Sequence, residues 1–248
     1  MLVSKLLKAT DITDDSYVPN WGLNVFQSFS SDMLDEERLF PCFLGVEGLK
    51  NDWLRFTFID SLQTGMDKLA EDLRTYLKSY KQIGRYTSFV AFFKPEPLKT
   101  IEEYEKDFWR VLQNLHKLDD KPWPQEIPVD PDNHMWEFSF HDQPMFVVCN
   151  TPAHKKRKSR YSKTFMMTFQ PRWVFEGIDE NTVKGRNIQK IVRNRLKHYD
   201  DVAAHPELGW YGKESNLEWK QYYLKDDNEK SAAKCPFHAS KPYQSMKE

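Results

Sequence analysis

Between Trp53 and Lys117 the chain alternates two hydrophobic periods, and that alternation limits the folds open to it. WLRFTFI (53–59) and TSFVAFF (87–93) are short apolar and aromatic runs of the kind that form buried strands. The stretches beside them step by threes and fours. Met66, Leu69, Leu73, Tyr76, Leu77 and Tyr80 share one helical face, and Ile101, Tyr104, Phe108, Leu112 and Leu115 share another. Thr100 and Glu103 have capping-box spacing at the start of the second helix, while PEP (95–97) stops the strand before it. Strands alternating with helices predict an α/β or α+β fold, with a single mixed central sheet flanked by helices.

The later pattern extends that sheet. Trp136–Phe140 and Pro144–Cys149 read as a strand pair around the HDQ turn, and Thr164–Phe169 as a further strand. A helix follows from about residue 180, with Ile188, Ile191, Val192 and Tyr199 along one side and Arg186, Arg193 and Lys197 on the other. The four-proline stretch DDKPWPQEIPVDPDN must be irregular, but Trp123 and Ile127 would anchor it to one domain's surface rather than leave it a free linker.

Seventeen Phe, eleven Tyr and eight Trp in 248 residues can fill a substantial core. Three widely spaced cysteines do not make a disulfide framework and favour a reducing compartment. The opening MLVSKLLKATDITDD lacks the apolar core of a secretory signal, and no window approaches the ~18 apolar residues of a membrane span, so a cytoplasmic protein without a membrane partner is expected.

Asn150–Arg172 carries seven Lys or Arg and one His, with no Asp or Glu between His154 and Arg172, in a chain of net charge -1. Such an island needs an anionic counterpart: nucleic acid, a phosphate, a cofactor's propionates or the protein's own acids. The near-neutral total argues against a nucleic-acid binder that tracks many phosphates.

Dinucleotide, P-loop, nucleophile-elbow and HExxH signatures are absent, as is a tight zinc spacing. His154, after Pro152 and at the head of the island, is the first candidate for an iron ligand, with Arg157, Arg160 or Arg172 placed to pair with haem carboxylates. His205, which opens the aromatic HPELGWYG loop, is the runner-up. Glu137 in WEF and Glu176 in VFEG are acids beside aromatic walls, suited to accept a guanidinium's parallel N–H groups, with the protein's own arginines as competing partners.

The ordered series FWRVLQNLH, KPWPQEIP, MWEFSF, PMFVVCN, FQPRWVFE, IVRNRLKHYD, WKQYYL and CPF resembles the YqcI/YcgG family from about Phe40 to Phe237. The resemblance implies an N-terminal extension (1–39) packing on the core, a haem-binding domain (40–237) and a C-terminal tail (238–248). It further implies an enzyme with haem b that uses O2 and an external electron donor or reductase to hydroxylate a guanidine or amine nitrogen of an arginine-like small molecule. On that reading His154 binds iron, Arg157, Arg160 and Arg172 lie near the propionates, and Glu137 or Glu176 orients the substrate. Cys235 matches the family's CPF position, which makes a thiolate the alternative ligand. A haem sensor or carrier is the non-enzymatic alternative, and a homodimer is left open.

Overall fold

The computed structural model describes residues 6–13, 18–229 and 234–239. Helices α1 (Asn20–Leu34) and α2 (Phe43–Lys50) precede strand β1 (Leu54–Ile59). A crossover through α3 (Met66–Leu77) and the short α4 (Tyr80–Ile83) then leads to β2 (Ser88–Phe93), parallel to β1, as a parallel pair requires. After α5 (Ile101–Lys117) and the proline-rich crossing come β3 (Ser139–Phe140), β4 (Gln143–Asn150), β5 (Met166–Pro171) and α6 (Val183–Tyr199). The sheet order is β1-β2-β5-β4-β3, with every pair after the first antiparallel. This is one mixed sheet with helices on both sides, an α+β fold.

Local chemistry sets the element ends. The Thr100 hydroxyl accepts from the Glu103 amide (3.2 Å) and the Glu103 carboxylate from the Thr100 amide (2.7 Å), so α5 begins at the capping box. The expected helix 65–80 breaks after Leu77, and Tyr80 donates its hydroxyl to Gln143 (2.7 Å) from the separate α4. β3 is shorter than its sequence run because the Phe138 amide donates to the Tyr222 hydroxyl (3.1 Å) instead of a neighbouring strand. His141 and Asp142, both at positive φ (52° and 59°), make the tight turn into β4.

Alternate residues of the sheet enter two different environments. Phe89, Phe169 and Val147 form one cross-strand row, and Ala91, Met167 and Cys149 the next, all wholly buried. Leu69, Leu73 and Tyr76 of α3 and Phe108, Leu112 and Leu115 of α5 close that face into a continuous core. On the reverse face α1 covers the β1 side, where Phe26 meets Phe56 edge-on at 5.1 Å and Phe29 meets Phe92 at 5.6 Å. Over β5 and β4 the packing of this reverse face gives way to a cavity.

Candidate active site

The cavity measures about 560 Å³ and lies between the sheet and α6. Its floor is Leu54, Ser88, Val90, Phe146, Val148, Thr168 and Gln170, the residues whose neighbours in sequence build the packed face. Phe29 and Met33 of α1 and Cys42, Leu44 and Gly45 around the start of α2 form one wall, and Leu208, Gly209, Trp210 and Tyr211 another. The stripe Ile188, Val192 and Leu196 of α6 makes the roof at four-residue intervals. Ile188 and Val192 are only half-buried, because they face the cavity instead of a core; Ile191 points away and is exposed.

The basic island folds back on the protein. Asp226 accepts from the amides of Lys155 (2.7 Å), Lys156 (3.0 Å) and Arg157 (2.9 Å), Lys158 pairs with Asp201 (2.8 Å), and Asp200 accepts from the amide (2.7 Å) and hydroxyl (2.8 Å) of Ser159. Of the anionic counterparts expected for the island, the protein's own acids are those seen here. Arg157 is nearly saturated: its guanidinium donates to the carbonyls of Lys225 (2.8 Å) and Asp227 (3.0 Å) and to Asn228 (2.8 Å). It lines the cavity as a structural clasp between two loops.

Arg160 is different. It is buried on the cavity wall and donates to the carbonyls of Tyr222 (2.9 Å) and Gln221 (2.9 Å), yet forms no ion pair among the described residues. Burial, and then the charge of Arg157, pull its pKa down to about 10, so it remains a cation at neutral pH. A buried cation held only by carbonyl dipoles is an anchor for an anionic group entering the cavity.

A second polar cluster lies on the wall formed by Arg172, Tyr211 and Glu218. Arg172 forks onto Glu137, with Nε donating to Oε2 at 2.8 Å and Nη2 to Oε1, and Nη2 also reaches Oε1 of Glu218. Its guanidinium lies 3.8 Å from the centroid of the Tyr211 ring. Burial raises the carboxyl pKa of both Glu137 and Glu218, while the two carboxylates hold that of Arg172 up. Arg172 thus belongs to an acid-rich cluster, away from the role of a propionate anchor expected from its place in the island. Glu137 is fully enclosed beneath it. Glu176, also on the cavity rim, leaves about 65% of its side chain exposed and reaches Arg85 only at 4.0 Å.

Neither expected histidine lines the cavity. His154 is buried one layer behind it: Nε2 donates to the carbonyl of Leu224 (2.8 Å) and Nδ1 accepts from the Thr151 hydroxyl (2.8 Å). Both ring nitrogens are engaged, and burial lowers the pKa to about 4, so the imidazole is neutral. Iron at either ring nitrogen would require it to give up the hydrogen bond made there. His205 accepts from the Glu207 amide (3.2 Å) at the root of its loop, whose later residues do form a cavity wall. Cys235 packs with Phe237 in the core of the opposite face, and burial pushes its thiol up to about 12. The group Asp119, Asp120 and His141, close enough together for a metal, lies at the β3–β4 turn, where the His141 amide donates to Asp119 (2.7 Å).

Two cavity residues escaped the sequence reading. Cys42 is half-buried at the start of α2. Burial raises its thiol pKa, opposed by the amides of Gly45 and Leu44 and by the charges of Arg160 and Arg195. Its signal was a cysteine at a helix N-terminus. Glu218 carries the same signal that marked Glu137, an acid beside a tryptophan, in LEWKQYYL.

A single mixed sheet with a cofactor-sized cavity between one face and a roofing helix defines an α+β domain built around an interior site. The chain belongs to the YqcI/YcgG family, whose model matches residues 29–238. It is similar to YqcI of Bacillus subtilis (strain 168), 45% identical over 228 residues, and to YcgG of the same strain, 42% identical over 228 residues; each match covers 89% of both chains. It is also similar to DcsA of Streptomyces lavendulae, which bears the name of an N(omega)-hydroxy-L-arginine synthase, at 30% identity over 248 residues, covering 94% of this chain and 89% of DcsA. No solved structure matches this chain.

Proposed function

We propose that this protein is a haem- and O2-dependent N-oxygenase that hydroxylates a guanidine or amine nitrogen of an arginine-like small molecule. The observation that carries this reading is the cavity itself: about 560 Å³, with apolar side chains from both floor and roof, the buried Arg160 held without a carboxylate and an acid-rich cluster on its walls. The name borne by DcsA gives the reading its substrate class.

The donor set fits haem b. The ring needs broad apolar surfaces, which Val90, Val148, Ile188 and Val192 supply, and Arg160 offers its propionates a buried cation. The soft donor on the wall is the Cys42 sulfur, supported by the amides at the start of α2 and the charge of Arg160; a bound cation would further favour the thiolate. Geometry favours Cys42 over His154, whose nitrogens are both engaged, and over Cys235, which faces the other core.

Bound haem supplies the O2 chemistry, with electrons from an external donor, so that one oxygen atom enters the N–H bond and the other leaves as water. The chain's own residues do the positioning. α6 and the 208–211 wall bound the cavity on two sides, and the acids around Arg172, Glu137 among them, favour a cationic nitrogen compound at their end. Glu176, on the rim, would meet that cation at entry.

The test is reconstitution with haem, spectra of the oxidised, reduced and CO-bound forms, and mass spectrometry after incubation with L-arginine, O2 and a reductant. A product heavier by one oxygen atom supports the reading. Haem binding without product across a panel of guanidines and amines would leave a sensor or carrier instead, and a protein that takes up no haem sinks the proposal.

A further inference from the structure

The acids of the inner cluster outnumber its cation. Glu137 spends both carboxylate oxygens on Arg172, completing a neutral forked pair. Glu218, in the 3-10 turn Glu218–Gln221, gives Arg172 only Oε1. Its Oε2 is buried and accepts no hydrogen bond; only the protonated carboxyl can share its proton with the neighbouring Glu137, so the ionised form leaves this oxygen unmatched in a residue that is 3% exposed and lines the cavity. A buried carboxyl oxygen left unmatched is costly, and native proteins rarely keep one without a use.

We propose that Glu218 is the cavity's cation-recognition subsite, whose Oε2 accepts an N–H of the planar guanidinium or amidinium end of the ligand, while Arg172 and Tyr211 hold the carboxylate in place. This rests on the arginine-like substrate class proposed above and assigns it a residue. The pocket already accommodates such a group: the Arg172 guanidinium is held between two carboxylates against the Tyr211 face. The same turn orders both walls of the cavity, because the carbonyl of Gln221, three residues on, accepts from Arg160. Cationic and anionic ends of one zwitterionic ligand, or of a ligand and its cofactor, thus meet opposite charges fixed by a single turn.

Glu218 is faced by Glu137 from the segment before β3, Arg172 from the end of β5, Tyr211 from the 205–217 loop and Tyr222 from the residue after its own turn. Burial and the adjacent Glu137 charge favour its protonated form without ligand. A guanidinium stays charged at every accessible pH, so its arrival ionises Glu218 and releases a proton. A purely structural Glu218 shows no such release.

The experiment is calorimetric titration of the haem-loaded full chain, without reductant, in two buffers of different ionisation enthalpy. L-arginine, agmatine and guanidine are the probes, with L-citrulline as the neutral isostere of arginine. Arginine is expected to bind at least about tenfold tighter than citrulline, with proton release near neutral pH. Glu218→Gln lowers arginine affinity by about 10- to 100-fold, abolishes the release and leaves citrulline binding unchanged, while Glu218→Asp retains part of the preference. The Gln variant keeps the shape and removes a surplus buried acid, so its thermal unfolding temperature should match or exceed wild type. Wild-type arginine affinity in Glu218→Gln, no preference for arginine over citrulline, or no Glu218-dependent binding of any cationic probe overturns the proposal. Glu218-dependent binding without N-oxygenated product would uphold the subsite and sink the oxygenase. Unimpaired product formation by Glu218→Gln would do the reverse.

Discussion

The two faces of the sheet are made of alternate residues of the same strands, yet one is a core and the other a chamber. Along β4, Met145, Val147 and Cys149 are wholly buried while Phe146 and Val148 between them are half-buried, and β5 repeats the pattern with Phe169 against Thr168 and Gln170. The packed face has two long amphipathic helices pressed into it. The other has α1 pressed against its β1 side, while α6 stands off its β5–β4 side. Strand alternation decides which residues face which way, and the distance of the covering helix decides whether a face serves stability or binding.

The sharpest way to break this comparison is to truncate one ring on each face. Phe169→Ala should cost ~3–5 kcal/mol in urea unfolding, because its cavity cannot collapse among Phe89, Val147 and α5. Phe146→Ala, on the chamber side, should cost roughly half of that or less, since its ring is already partly exposed there. Equal losses would mean that the two faces are not distinct.

His154 tests the boundary behind the chamber. His154→Ala should cost about 2–3 kcal/mol, leaving the Leu224 carbonyl without its donor and the Thr151 hydroxyl, which still accepts from the Ala153 amide, without its ring acceptor. With a folded pKa of about 4 against an ordinary 6.5, the neutral imidazole stabilises the fold fully above about pH 6.5. Below that the unfolded chain takes up the proton first, so up to ~3 kcal/mol is lost as pH falls from 6.5 towards 4. Urea midpoints across that range should fall in wild type and flatten in His154→Ala. Arg160→Met comes next, at about 1–3 kcal/mol for a Gln221 carbonyl left without its donor and a Tyr222 carbonyl left with the Cys149 amide alone, with haem affinity expected to fall by tenfold or more. Smallest is Val192→Leu in the roof, which adds a methylene where there is room and should change stability by less than ~0.5 kcal/mol.

The packed face was legible because its residues obey a period. Leu69, Leu73 and Tyr76, or Phe108, Leu112 and Leu115, announce a buried stripe, and Thr100 with Glu103 announces where the helix starts. The chamber obeys no period in the chain. Phe29, Cys42, Val90, Val148, Val192 and Tyr211 come from six separate segments, and nothing in Ile188-x3-Val192-x3-Leu196 distinguishes a stripe that roofs a chamber from one that seals a core. Charge misled for a related reason. The island drew attention to His154 and Arg157 as ligands, whereas their hydrogen bonds go to carbonyls brought from residues 224–227, which sequence proximity does not reveal. Arg160 differs from Arg157 in having only two partners, the carbonyls of Tyr222 and Gln221, and it is the island's residue that the proposed haem site uses.

The central claim is that the open face of the sheet is where haem binds. A Soret titration of wild type against Val148→Trp, which projects an indole from the floor into the chamber, tests it most directly. Wild type is predicted to take up one haem per chain, and Val148→Trp to bind it at least about tenfold more weakly while its urea midpoint stays near wild type. A wild-type protein that takes up no haem, or a Val148→Trp variant that binds it as tightly as wild type, would contradict the account.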